Sequence, residues 1–194
     1  MAVKANHDIS SGLDTAFINS AINSNLAYRP EFVSNDYTQG KKVSVAIERE
    51  LRHCDAFYIS VAFITEGGLA PLKQVLAELR DKGIPGKILT TSYLTFTEPK
   101  ALKTLADLSN VEVRVYDSTD EGASGFHTKG YIFKEEEIYR FIVGSSNMTA
   151  SAFSVNKEWN TKLVSTSDGE LLKQMMTEFN ALWNSKHTLA VKDF

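Results

Sequence analysis

The chain has 194 residues, 43% of them apolar, and a formal net charge of −3. That length buries roughly 70% of an unfolded chain's surface in one core, so a single domain is expected and two full ones would be cramped. The acidic balance excludes a whole-surface electrostatic grip on nucleic acid, and the single cysteine, Cys54, excludes an internal disulfide or a multi-cysteine zinc cage.

Residues 1–12 are small and polar with no period and read as a flexible N-terminus; residues 13–194 read as one domain. Lys4, His7 and Asp8 interrupt any secretory signal, and no apolar run reaches about 18 residues, so a cytoplasmic protein without a membrane partner is expected. Leu13, Phe17, Ile18, Ala21 and Ile22 recur at helical spacing and predict a first helix over 13–26. Val43, Ala46, Ile47, Leu51 and Cys54 predict a second, with Cys54 packed at its end. Ala56 to Ile64 is a β-rich apolar run with little alternation, the pattern of a central strand covered on both faces.

Gly67-Gly68 opens a helix that stops at Gly83, before Pro85-Gly86, and Lys87 to Thr91 is a strand. Thr97 is placed to cap a helix with Pro99 in its first turn, and Val111 to Tyr116 alternates as a strand. The succession strand, helix, strand, helix, strand predicts an α/β fold with a mixed, largely parallel central sheet flanked by helices on both faces. Asp117 to Gly125 is a polar loop. Phe126 to Phe133 and Ile138 to Val143 form a β-hairpin around the acidic tip Lys134 to Glu137. Asn147 to Phe153 is a short helix, Glu158 to Ser165 a strand, and Ser167-x-x-Glu170 a capping box before the closing helix.

The chemistry concentrates in the second half. His127 and Lys129, two residues apart on a strand, point to one face and set an imidazole beside a fixed positive charge. Ser145 and Asn147 repeat the spacing and offer a hydroxyl and an amide to phosphate oxygens, while Glu158 can accept from the imidazole N–H. A phosphodiester site needs a nucleophile, oxygen neutralisation and a proton donor, and these side chains provide all three with no metal ligand set. Lys129, Lys134, Arg140, Lys157 and Lys162 are expected around it, with a second basic cluster at Lys41, Lys42, Arg49 and Arg52. His7, His53 and His187 lack matched partners and read as structural or surface residues. Tyr93, Phe96 and Tyr131 lie near strand ends, where stacking on bases and core packing are both open. Glu135-Glu136-Glu137 reads as a solvated turn, since consecutive tip residues do not converge on one ion.

His127-x-Lys129 followed by Gly144-Ser145-x-Asn147 resembles the single-copy signature of the phospholipase D superfamily. More narrowly, Thr95 to Lys100, Gly125 to Tyr131, Gly144 to Thr149 and Glu158 to Asn160 are similar to the nuclease domain that precedes DEAD/DEAH-type helicases and occurs in metal-independent restriction endonucleases. The similarity runs from about Asp36 to Trp183. Where the family's common form has Asp five positions after the Lys, this chain has Lys134, a departure shared with the restriction-enzyme branch.

The resemblance implies a phospholipase D-like fold and a metal-independent, cofactor-free phosphodiesterase or endonuclease acting on DNA. His127 would attack phosphorus to form a phosphohistidine. Lys129, Asn147 and Ser145 would hold the phosphate oxygens, and Glu158 would orient the ring. The family uses two imidazoles and this chain has one His-x-Lys, so a homodimer sharing one site is expected. The chain stops soon after its last helix and reads as a fragment of a longer helicase or restriction protein. A catalytically inactive nucleic-acid-binding or dimerisation module of the same fold is the alternative. A lipid phosphodiesterase is disfavoured by the lack of an amphipathic membrane stretch.

Overall fold

The computed structural model describes residues 2–19, 21, 23–93 and 96–191; Ile22, Thr95 and residues 192–194, which enter the expectations above, lie outside the described residues. The chain opens with α1 (Ala2–Leu13), winds on through Asp14–Ile18 and a 3₁₀ turn at Leu26–Tyr28, and reaches a short strand β1 (Glu31–Val33). There follow α2 (Val43–Leu51), β2 (Ala56–Val61), α3 (Glu66–Leu69), α4 (Lys73–Asp81), β3 (Gly86–Thr91), α5 (Pro99–Ala106) and β4 (Val111–Tyr116). The second half supplies β5 (Lys129–Glu135), β6 (Ile138–Gly144), α6 (Ala150–Ser154), β7 (Asn160–Thr166), α7 (Glu170–Trp183) and β8 (Thr188–Ala190).

Among the described residues eight strands join one mixed sheet in the order β1-β7-β6-β5-β2-β3-β4-β8. Helices cover both faces, as expected. Phe57, Ile59 and Val61 of β2 face the core formed with α2, α4 and α5, which contribute Ile47, Leu76 and Leu105. On the opposite face Tyr58 meets Phe179 of α7 edge to face at 5.7 Å, and Phe179 stacks on Trp183 at 5.5 Å. β2 therefore alternates between two cores, which explains its nearly continuous apolar sequence. Cys54 is buried at the end of α2, as its place in the stripe implies.

The parallel character of the sheet is narrower than expected. Only β2–β3 and β3–β4 pair in parallel; β5, β6 and β7 form an antiparallel meander beside them, and β1 and β8 add antiparallel edges. Parallel neighbours need a crossover helix, which α4 and α5 provide, whereas the tight turn through Glu136, with φ of 52°, can only reverse the chain.

Four local expectations are corrected. Residues 2–13 form a helix where no periodic structure was expected: Gly12 lets the backbone of Tyr28 come so close that a Cβ would lie 2.7 Å from its carbonyl oxygen, and Thr15 donates to the Ser11 carbonyl at 2.8 Å. The helix expected over 13–26 ends instead at Ile18, where Phe17 and Ile18 are exposed. Thr97 does not cap α5; its hydroxyl turns inward to the carbonyl of Ala62 at 3.3 Å, and Glu98 holds the cap position. The capping box at Ser167 does not form, because α7 starts from Gly169. No helix among the described residues is long and apolar enough to cross a membrane.

Candidate active site

The register of four strands gathers the candidate residues at one end of the sheet. Lys129 opens β5 opposite Val61 at the end of β2, while Gly144 closes β6 opposite Asn160 at the start of β7. His127, Ser145, Asn147 and Glu158 therefore emerge from neighbouring strand ends. Gly144 is needed there: a Cβ would lie 2.2 Å from the carbonyl oxygen of Trp159. The turn after β6 is sewn to the segment after β2, with Met148 N–H donating to Phe63 and Thr65 N–H donating to Met148, each at 3.0 Å. Glu98 N–H adds a bond to the Ile64 carbonyl at 2.9 Å, tying the start of α5 to the same seam.

His127 is exposed and Lys129 is half-buried beside it. The Lys129 ammonium lies 2.9 Å from His127 Nδ1 and 3.3 Å from Nε2, and donates to the His127 carbonyl at 3.1 Å. An ammonium only donates, so the ring nitrogen it engages is the unprotonated one. Burial pushes the Lys129 pKa down from its ordinary value, and the nearby Glu158 carboxylate opposes that shift. Phe63 packs edge-on to the His127 ring at 6.0 Å, and Phe96 packs on Phe63 at 5.0 Å.

Asn147 accepts from the Phe63 backbone N–H through Oδ1 at 3.2 Å, which leaves its NH₂ as the donor end. Ser145 donates to Glu158 Oε2, and its Oγ accepts from Trp159 N–H at 3.0 Å. The carboxylate of Glu158 is 8% exposed and bonded to Ser145, not to the imidazole. Among the described residues no hydrogen bond joins Glu158 to His127; the carboxylate is taken by the Ser145 hydroxyl instead.

Several assignments shift. Tyr131 is buried, donates to the Ser146 carbonyl at 3.0 Å and is unavailable for stacking; burial, with Glu158 close by, drives its pKa well above the ordinary value. Phe96 and Tyr93 are exposed. Arg140 and Lys162 are not at the site: Lys162 lies 2.6 Å from Glu31 and 3.3 Å from Glu50, and Arg140 pairs with Glu135 and Glu50. Lys134 stands opposite Ala56 at the far end of β5, about 16 Å along the strand from Lys129 at ~3.3 Å per residue. The position of the missing Asp is therefore remote from the candidate site residues. His187 is a structural residue, bonded to Asp120 at 2.7 Å, and anchors the loop leading to His127.

Sequence reasoning assigned no role to Asn160 or Trp159. Asn160 accepts from Ser146 N–H at 3.2 Å and donates to the Val33 carbonyl at 3.1 Å, fixing the turn that presents Ser145 and Asn147. Trp159 is 75% exposed. Strand alternation was the available signal, since Asn160 facing the core sends its neighbour outward.

A search of curated proteins finds no match. Among solved structures, the phospholipase D family member Nuc from Salmonella typhimurium matches with a TM-score of 0.61 at 16% identity, covering 84% of this chain and 98% of its own. NucT from Helicobacter pylori matches with a TM-score of 0.63 at 14% identity over the same shares. The phosphatidylserine synthase of Haemophilus influenzae matches with a TM-score of 0.59 at 15% identity, covering 86% of this chain and 41% of its own. At such identities these likenesses establish the fold. The family model for the cardiolipin synthase, PLD-like domain matches residues 52–183, and with the His127 to Glu158 constellation inside that span, the chain belongs to the phospholipase D-like superfamily.

Proposed function

We propose that the chain is a metal-independent phosphodiesterase that cleaves DNA through His127. The observation that carries this reading is the convergence of His127, Lys129, Ser145, Asn147 and Glu158 at one sheet end, with His127 open to solvent. The His127 ring nitrogen attacks phosphorus and the P–O bond to the leaving alkoxide breaks. A second imidazole, His127 of a symmetry-related copy, donates the proton that alkoxide needs, and water then hydrolyses the phosphohistidine. Lys129 neutralises the phosphate oxygens and the Asn147 amide donates to them, while the Ser145 hydroxyl, already given to Glu158, holds that carboxylate in place beside them. Glu158 acts through Ser145 and through the field it exerts on Lys129.

The reading includes a homodimer, a cytoplasmic setting, and a place as the nuclease module of a restriction or helicase-linked enzyme. Such an assembly supplies the DNA grip that a chain of net charge −3 lacks. DNA cleavage assayed in EDTA, together with molecular mass by sedimentation, tests it: activity from a dimer and loss of activity in His127→Ala are expected. A strict monomer, even with DNA, would overturn the shared site. A second reading, a phosphate-binding module without turnover, draws on Glu158 being engaged by Ser145 and not by His127. DNA retention without cleavage by the wild-type dimer would favour it.

A further inference from the structure

Two exposed aromatic rings sit beside the site, and the catalytic groups do not use them. Trp159 follows Glu158 directly and is 75% exposed; Phe32 of β1 is 65% exposed and meets it edge to face at 5.8 Å. Leaving both in water forgoes the burial such rings ordinarily gain. β1 is the outer strand of the sheet, and along its open edge runs a groove of ≈ 530 Å³ lined by Phe32, Val33, Gly40, Lys41, Lys42 and Val45.

The groove is held in shape. Asn35 is buried, accepts from Val43 N–H at 2.9 Å and donates to the carbonyls of Ala152 and Asn156, each at 2.8 Å. Asp36 and Lys41 exchange two backbone hydrogen bonds of 2.9 Å, and the Asp36 carboxylate turns back onto Thr38. The charges are divided as well. Arg49 is committed to Glu31 and Glu50, whereas Lys41 and Lys42 are exposed and form no ion pair among the described residues. Lys157 donates to the Asn35 carbonyl at 3.3 Å, with Asp36 near enough to feel its charge.

We infer that this edge binds an unpaired nucleic-acid strand extending from the scissile linkage, with bases stacked on Trp159 and Phe32 and phosphates held by Lys41 and Lys42. The inference rests on the reading of the chain as a DNA phosphodiesterase and adds the substrate class. A ring face can be covered by a base only where that base is not already paired and stacked in a duplex. Lys41 and Lys42 bring to the groove positive charge that no carboxylate among the described residues claims, while the one lining carboxylate, Glu31, is held by Arg49 and Lys162, and a groove offering both rings and free cations suits a single strand.

The test uses an oligothymidylate and a duplex of equal length, titrated into wild-type protein, Phe32→Ala and Lys41→Gln/Lys42→Gln. Tryptophan fluorescence is the readout, with Trp183, buried at the end of α7, as the invariant background. The expected result is quenching by the single strand, with roughly tenfold weaker binding in Phe32→Ala. The lysine variant should lower the slope of log K against log salt by about 0.7 per lost phosphate contact. Equal affinity for the duplex, or unchanged single-strand affinity in both variants, would overturn the inference. Wild-type hydrolysis of bis(p-nitrophenyl) phosphate, which has no strand to fill the groove, separates the two levels. Turnover there alongside unaltered variants sinks only the groove, while no turnover of this diester or of DNA sinks the catalytic reading.

Discussion

The Lys129 ammonium holds His127 at both its ring and its backbone, 2.9 Å from Nδ1 and 3.3 Å from Nε2 and donating to the carbonyl over 3.1 Å. One cation thus fixes the orientation of the ring and the path of the chain that carries it. Lys129→Met removes both restraints and the charge facing the phosphate, and a fall in kcat of about 10²–10³-fold is expected for DNA cleavage in EDTA. Lys129→Arg should not restore full activity, because a planar fork cannot reproduce contacts to ring and backbone made from a single nitrogen. His127→Ala, lacking the nucleophile, should lose on the order of 10³-fold or more.

Ser145 and Glu158 form a second unit. Ser145→Ala leaves the nearly buried carboxylate without its hydroxyl partner, which should cost about 1–3 kcal/mol. Urea unfolding should show a lower midpoint at unchanged slope. Ser145→Thr keeps the hydroxyl and should recover most of that stability. A full-stability Ser145→Ala would show that the carboxylate finds another partner.

Much of this was legible from sequence because it rests on period and spacing. The His127-x-Lys129 spacing does bring ammonium and imidazole together, although His127 precedes β5 and is not part of the strand expected for it, and the turn expected at Gly144 to Asn147 does leave the end of β6. What was not legible depends on partners distant in the chain. Arg140 and Lys162 counted as site cations until their pairing with Glu31 and Glu50, far away in sequence, removed them. The three-residue strands β1 and β8 exist by virtue of their neighbours and carry no period of their own. Thr97 failed as a cap because the Ala62 carbonyl competes for its hydroxyl.

The position of Lys134 gives a test in the opposite direction. Since it lies at the far end of β5 from Lys129, Lys134→Asp should leave the rate of DNA cleavage within about twofold of wild type. A large gain on restoring the acid would place that residue in communication with the site by a route other than contact.

The ion network beneath α2 governs stability and has no part in the proposed chemistry. Lys162 is 3% exposed and rests between Glu31 at 2.6 Å and Glu50 at 3.3 Å, with Arg49 and Arg140 closing the cluster. Glu50→Ala takes from the buried Lys162 one of its two carboxylates and leaves it Glu31 alone, which should cost about 1.5–3 kcal/mol, while Glu50→Leu combined with Lys162→Met should cost less, since the half-compensated charge goes too. Burial alone would raise the Glu31 carboxyl, yet Lys162 and Arg49 together hold its pKa below the ordinary 4.5. A carboxyl depressed on folding contributes its full stability above its unfolded value and loses it as pH falls through the folded one. Wild-type stability should therefore decline as pH drops below about 4.5, and Glu31→Gln should be less stable at neutral pH but show a shallower acid decline. Chemical denaturation at a series of pH values measures both slopes; parallel curves for the two proteins would mean that Glu31 carries no share of the acid sensitivity.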